Sequence, residues 1–273
     1  MLSYQVPEKW YENCYRDIGV VIPAARSFSI RNGAKRAVLL IHGYAGYPGE
    51  LVRPAIDLAK EKFDVFVPRL PGHGTTGEDF QSVTLSDYMS VLENAYIDLE
   101  SRYDDVYLLG HSLGTLLVVE LAKKFKSKKI VLSAPAFKIK GLNLIELKAL
   151  SLVKTELKKE WKPDHRYHLH YENAPCDDIA LAQEYWSHIY VKKLIEAGEL
   201  AKMAQKDFKS LKGTEVLCLL AEHDELVDND ITSFLPDGAE VSLIKGATHF
   251  MYYDIDTASE EEAVKESVEF LKG

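Results

Sequence analysis

The sequence predicts an α/β fold, a mostly parallel sheet flanked by helices with an inserted helical cap. Three observations predict it. Short apolar runs ending in glycine, alanine or proline recur along the chain. Stretches with apolar residues three and four apart separate them. One long region, 136–212, carries helical patterns but no apolar run of that kind. Strands that are apolar throughout and alternate with helices belong to a sheet covered on both faces.

The runs can be taken in order. "AVLLIHG" (37–43), "FDVFVP" (63–68), "DVYLLG" (105–110), "KIVLSAP" (129–135), "EVLCLLA" (215–221) and "AEVSLIKG" (239–246) each read as a buried strand. Between the second and third, Leu85, Tyr88, Leu92, Tyr96 and Leu99 recur at helical spacing behind Thr84, which suits an N-cap. The segment after Ser112 has helix formers and no proline, and "SEEEAVKESVEFLKG" is amphipathic with acidic residues in its first turn. The resulting division is a core of residues 1–135 and 213–273 with a cap of 136–212. Residues 137–162 of that cap hold seven lysines against three glutamates, a local excess of positive charge in a chain of net charge −9.

At 273 residues the chain is long enough to bury a sizeable core, and 47% hydrophobic with 27% charged residues is ordinary for a globular protein. The negative charge argues against nucleic-acid binding, which calls for a basic face. No basic start followed by an apolar run opens the chain, and no stretch is apolar enough to span a membrane, so a cytoplasmic location is expected. Cys14, Cys176 and Cys218 are odd in number and scattered, which suits reduced packing residues.

The chemistry centres on "GHSLG", residues 110–114. A G-x-S-x-G pattern arises by accident in about one chain in ten of this length, so its surroundings decide. A serine that only caps a helix between two glycines is the plain alternative. Here an apolar strand leads directly into Ser112 and a helix follows, which is the setting of a nucleophile on a sharp strand-to-helix turn. Such a turn crowds the residues two before and two after, where Gly110 and Gly114 stand. A serine nucleophile needs a base, and the base an orienting carboxylate. Asp224 in "EHDELVD" and His249 in "GATHF" each follow a core strand, on the rim where Ser112 lies. Asp228 is the rival acid, four residues farther from its strand. His42, His73 and His111 sit in glycine-flanked loops and read as supporting residues. His165, His168 and His170 match no zinc spacing and read as a solvated linker. The backbone N–H groups of Leu113 and of Tyr44, in "HGYAG", are the natural oxyanion donors.

Taken together, "LLIHGYAG", "VPRLPGHGTT", "LLGHSLG", "EHDELVD" and "GATHF" resemble the α/β-hydrolase superfamily, nearest its bacterial carboxylesterase and monoacylglycerol-lipase-like branch. The resemblance covers about residues 35–135 and 213–270. It implies a triad of Ser112, Asp224 and His249 with Tyr44 and Leu113 as oxyanion donors. Two departures stand out: Thr115 occupies a position where many monoacylglycerol lipases have a second glycine, and Ala221 replaces a glycine often found before the acid. The expected function is hydrolysis of carboxylic esters of small to medium acyl chains through an acyl-enzyme, with no metal or organic cofactor. Thioesterase, peptidase and C–C hydrolase activities use the same machinery, and a ligand receptor on the same fold is a further class. The expected partner is a small ester carrying an acyl chain. The basic and apolar cap adds the hypothesis of contact with a lipid surface.

Overall fold

In a computed structural model of the protein, residues 2–3, 6–160 and 184–273 are described. The elements in chain order are β1 (Leu2–Ser3), β2 (Phe28–Ile30), β3 (Arg36–Ile41), α1 (Val52–Lys60), β4 (Phe63–Val67), α2 (Gly77–Ser82), α3 (Leu85–Glu100), β5 (Asp105–His111), α4 (Leu113–Phe125) and β6 (Lys129–Ser133). They continue with α5 (Leu144–Leu150), β7 (Glu156–Lys158), β8 (His188–Tyr190), α6 (Val191–Lys209), β9 (Glu215–Ala221), β10 (Glu240–Ile244) and α7 (Thr257–Lys272).

The main sheet runs β1-β2-β4-β3-β5-β6-β9-β10. From β4 to β10 every pairing is parallel, with Leu39 opposite Leu108 and Leu132 opposite Cys218. The six apolar runs seen in the sequence supply these six strands. Val38–Ile41, Leu108, Leu109 and Ile130–Leu132 are fully buried, because helices cover both faces. β1 and β2 extend the sheet antiparallel beyond β4.

Local chemistry fixes the helices that matter here. Thr84 and Asp87 form a reciprocal capping box at the start of α3, and Asp256 caps α7 through the N–H of Ala258. α4 is buried along nearly its whole length, from Leu113 to Val119, and packs between β5 and α6. Within 136–212 the described residues hold α5, α6 and a two-stranded antiparallel ribbon of β7 with β8, which the helical reading of this region did not include. α6 returns the chain to the sheet, with Phe208 stacked on Phe137 at 4.8 Å between ring centres. His165, His168, His170, Lys162 and Cys176 lie outside the described residues. Cys14 and Cys218 are buried free thiols. Among the described residues no helix is long and apolar enough to cross a membrane.

Candidate active site

The site begins with a strained turn. β5 delivers the chain to His111, Ser112 adopts φ 53° and ψ −121°, and α4 starts at the next residue. A non-glycine residue in this region stores about 1–3 kcal/mol, so its surroundings must hold it. The two glycines make the turn sterically feasible. A Cβ at Gly110 would stand 2.6 Å from the backbone of Gly114, and one at Gly114 would stand 2.2 Å from the carbonyl of Ile41. Hydrogen bonds then fasten the turn to β6 and the loop beyond it. The Ser112 N–H donates to the Ser133 carbonyl at 2.9 Å, the Thr115 hydroxyl donates to the Ser112 carbonyl at 2.5 Å, and that hydroxyl accepts from the Ala136 N–H at 3.2 Å. Thr115, a departure from the family pattern in sequence, therefore ties the turn to its neighbour.

The two other strand ends bring in a base and an acid. The Ser112 hydroxyl lies 2.9 Å from His249 Nε2, and His249 Nδ1 lies 2.8 Å from Asp224 Oδ2. A ring nitrogen facing a carboxylate carries the proton, so Nδ1–H donates to Asp224 and Nε2 accepts from Ser112. Asp224 Oδ1 meanwhile accepts from the N–H groups of Leu226 and Val227, both at 2.8 Å. Burial opposes the charged form of Asp224. The His249 hydrogen bond and charge, with the two backbone N–H groups, outweigh it and hold the carboxyl below the usual carboxylate range. Asp228 is turned elsewhere: its carboxylate accepts from the Asp230 N–H and its own N–H donates to the Lys138 carbonyl. The structure thus joins Asp224, not Asp228, to His249.

Tyr44 and Leu113 flank Ser112, from the loop after β3 and from the first residue of α4. A Cβ on Gly43 would come 3.1 Å from that of Ser112, a tight contact that the glycine avoids as this loop approaches the serine. Neither the Tyr44 nor the Leu113 N–H meets an acceptor among the described residues.

Three histidines near the site are buried supports. His42 donates from Nδ1 to the Gly43 carbonyl and accepts at Nε2 from the Leu70 N–H, which fixes the loop of Tyr44. Burial pushes its imidazole down to about 3, so it stays neutral. His111 packs 5.3 Å from the His249 ring and contacts the Ser133 hydroxyl through Nδ1; burial, then the charge of His249, push it to about 3 as well. His73 packs against His42 and Phe80 and is lowered by burial.

Ser112 and His249 open into a cavity of about 180 Å³ whose walls include Tyr44, Trp186, Leu194, Val227 and Phe250. Two charged side chains join this lining, Glu50 and Lys140. Neither was legible in the sequence, since Glu50 lies in a single 3-10 turn (Pro48–Leu51) before α1 and Lys140 among cap lysines. Among the described residues no group of three or more histidine, cysteine or acidic side chains is gathered as a metal site.

Comparison with known proteins fits this geometry. Over 103 residues the chain is 36% identical to a thermostable monoacylglycerol lipase of Bacillus sp. (strain H-257), covering 38% of this chain and 41% of the lipase. Over 121 residues it is 31% identical to the phospholipase YtpA of Bacillus subtilis (strain 168), covering 42% and 45%. The aligned stretches thus span less than half the length of either relative. The solved structure of a metagenome-derived lipolytic enzyme superposes with a TM-score of 0.76 at 22% identity, covering 93% of this chain and 99% of that one, which establishes the shared fold. The model of the family described as serine aminopeptidase, S33 (Hydrolase_4) matches residues 32–256, from before β3 to beyond His249. By that match the chain belongs to the family described as serine aminopeptidase, S33, within the α/β-hydrolases.

Proposed function

We propose that the protein cleaves carboxylic esters of small to medium acyl chains through an acyl-enzyme on Ser112. The observation that carries this reading is the continuous hydrogen-bonded chain from Ser112 through His249 to Asp224, opening into an apolar cavity. His249 Nε2 takes the hydroxyl proton as Ser112 Oγ attacks the ester carbonyl, forming a tetrahedral oxyanion. The N–H groups of Tyr44 and Leu113 receive that oxyanion. The imidazolium returns the proton to the leaving alkoxide, and the alcohol departs. Water, deprotonated by the same nitrogen, then releases the acid and restores Ser112. Asp224 stays ionised throughout, holding Nδ1–H in place and stabilising the imidazolium. The monoacylglycerol lipase among the relatives supports an ester with an acyl chain. A panel of nitrophenyl esters and monoacylglycerols of increasing acyl length tests the reading. Turnover is expected to peak at short to medium chains, and a peptide or thioester substrate that outpaces every ester overturns it.

In this reading residues 136–212 form a cap over a core of 1–135 and 213–273, and α5 is its outer face. Ile145 on α5, and Leu152 and Val153 just past its end, are 82%, 86% and 78% exposed, near Lys154 and near Lys148, which pairs with Glu199 at 2.6 Å. Apolar side chains this open, in a lysine-rich segment, suit contact with an anionic lipid surface. Turnover of a medium-chain ester is then expected to climb once substrate passes its solubility limit. Anionic vesicles are expected to sediment the protein in low salt and release it in high salt, where screening shortens the reach of the lysines. Saturation with dissolved substrate and no sedimentation in low salt restrict the cap to covering the site.

A further inference from the structure

The loop that carries Asp224 is clamped from two sides. On the core side, Asn229 Nδ2 donates to the Ala221 carbonyl at 2.7 Å and the His223 N–H to the Ala247 carbonyl at 2.9 Å. On the other side stand residues 138–140, the stretch that leads from β6 into α5. Ile139 and Val227 form an isolated antiparallel bridge. The Lys140 N–H donates to the Leu226 carbonyl and the Asp228 N–H to the Lys138 carbonyl, each at 2.9 Å. Lys140 adds a side-chain contact to this ribbon, its ammonium donating to the backbone carbonyl of Asp224 at 2.6 Å. Outside it, Lys138 pairs with the exposed Asp230 at 2.9 Å.

We propose that Lys140 is a positioning residue for the acid, tying residues 138–140 to the backbone of Asp224 and so coupling the start of the cap to the alignment of His249. The proposal rests on the triad reading above. Asp224 spends one carboxylate oxygen on Leu226 and Val227 and the other on His249. The direction in which that second oxygen points is therefore set by where the 224–227 backbone lies. The ammonium holds the one carbonyl of this turn that belongs to Asp224 itself, and a charge-assisted donor is a strong one. Ile139 and Val227 also line the substrate cavity, so an acyl chain pressing on them bears on the same ribbon. Movement of the cap stem thereby reaches the acid without touching His249. A displacement of about 1 Å at a reacting group can cost on the order of 100-fold in rate, and loosening one of several clamps is expected to cost about tenfold.

The test compares Lys140→Met, Lys140→Arg and Lys138→Met. Rates are measured per active site, with sites counted by the burst of nitrophenol from a nitrophenyl ester, so a partly unfolded preparation does not distort them. Lys140→Met is expected to slow acylation, read both by this burst and by fluorophosphonate labelling, about tenfold, with KM changed less than twofold. Lys140→Arg, which keeps a cationic donor, is expected to recover most of the loss, and Lys138→Met to stay within twofold of the parent. An acylation rate within twofold of the parent for Lys140→Met overturns the proposal, as does a defect confined to KM or one that Lys140→Arg fails to relieve. Ser112→Ala separates the two layers. Labelling that persists at full rate without the Ser112 hydroxyl sinks the triad reading itself, whereas its loss alongside a silent Lys140→Met sinks only the role given to Lys140.

Discussion

Replacing Ser112 by alanine is expected to lower kcat by about 10⁴- to 10⁶-fold while leaving the melting temperature nearly unchanged. The two halves of this expectation have separate causes. The hydroxyl is the only group on this turn that meets His249 Nε2, so removing it removes the bond-forming atom. The backbone features that hold the turn do not depend on it. The Ser112 N–H and carbonyl keep Ser133 and Thr115 as partners, the glycines at 110 and 114 stay in place, and alanine pays the same price in φ and ψ as serine. Residual turnover above background is expected from the remaining oxyanion donors and from binding alone. Steady-state hydrolysis of a nitrophenyl ester and covalent labelling by a fluorophosphonate check both points. Undiminished labelling of the alanine variant places the nucleophile elsewhere.

Asp224→Asn is expected to cost about 10⁴ in kcat, with KM little changed. The hydrogen bonds around the carboxylate explain why so small a change costs so much. One oxygen already accepts from the Leu226 and Val227 N–H groups, and an asparagine must put its carbonyl oxygen there to keep them. Its NH₂ then faces His249 Nδ1, donating where the carboxylate accepted. The imidazole answers by moving its proton to Nε2, where it meets the Ser112 hydroxyl as a donor and can no longer accept. Asp228→Asn breaks no contact with His249 and is expected to stay within a few-fold of the parent. The comparison of these two variants by kcat is decisive, since a mild Asp224→Asn beside a crippling Asp228→Asn reverses the assignment of the acid.

That assignment marks the line between what local sequence carries and what it does not. Asp224 and Asp228 lie in one loop, and their order after the strand favours the first without deciding it. What favours Asp224 in space is its Oδ2 contact with His249, in a turn where Oδ1 accepts from two N–H groups, while the Asp228 N–H donates to the carbonyl of Lys138, a residue ninety positions away in sequence. The histidines behave alike. "HG" and "GH" loops read as supports in sequence, and only the packed structure shows that His42 fixes the Tyr44 loop through the Leu70 N–H or that His111 lies against the base. Lys140 carries no signal at all in a lysine-rich segment, because its significance is a single contact with the backbone of Asp224. Glu50 enters the cavity lining in the same unannounced way.

The sequence by itself determined the six parallel strands, the strand-to-helix turn at Ser112 and the placement of Asp224 and His249 after two later strands. Each of these is written locally: an apolar run long enough to be buried, two glycines four apart where sterics demand them, or a polar residue just past a strand's end. Only the tertiary structure decided the antiparallel edge of β1 and β2, the β7–β8 ribbon and the clamp on the Asp224 loop. Strands of two or three residues are too short to show a period, and they persist because a distant segment offers them hydrogen bonds. The clamp, likewise, exists only once residues 138–140 and 224–228 lie side by side, which is a property of how the sheet brings its C-terminal ends together rather than of either segment alone.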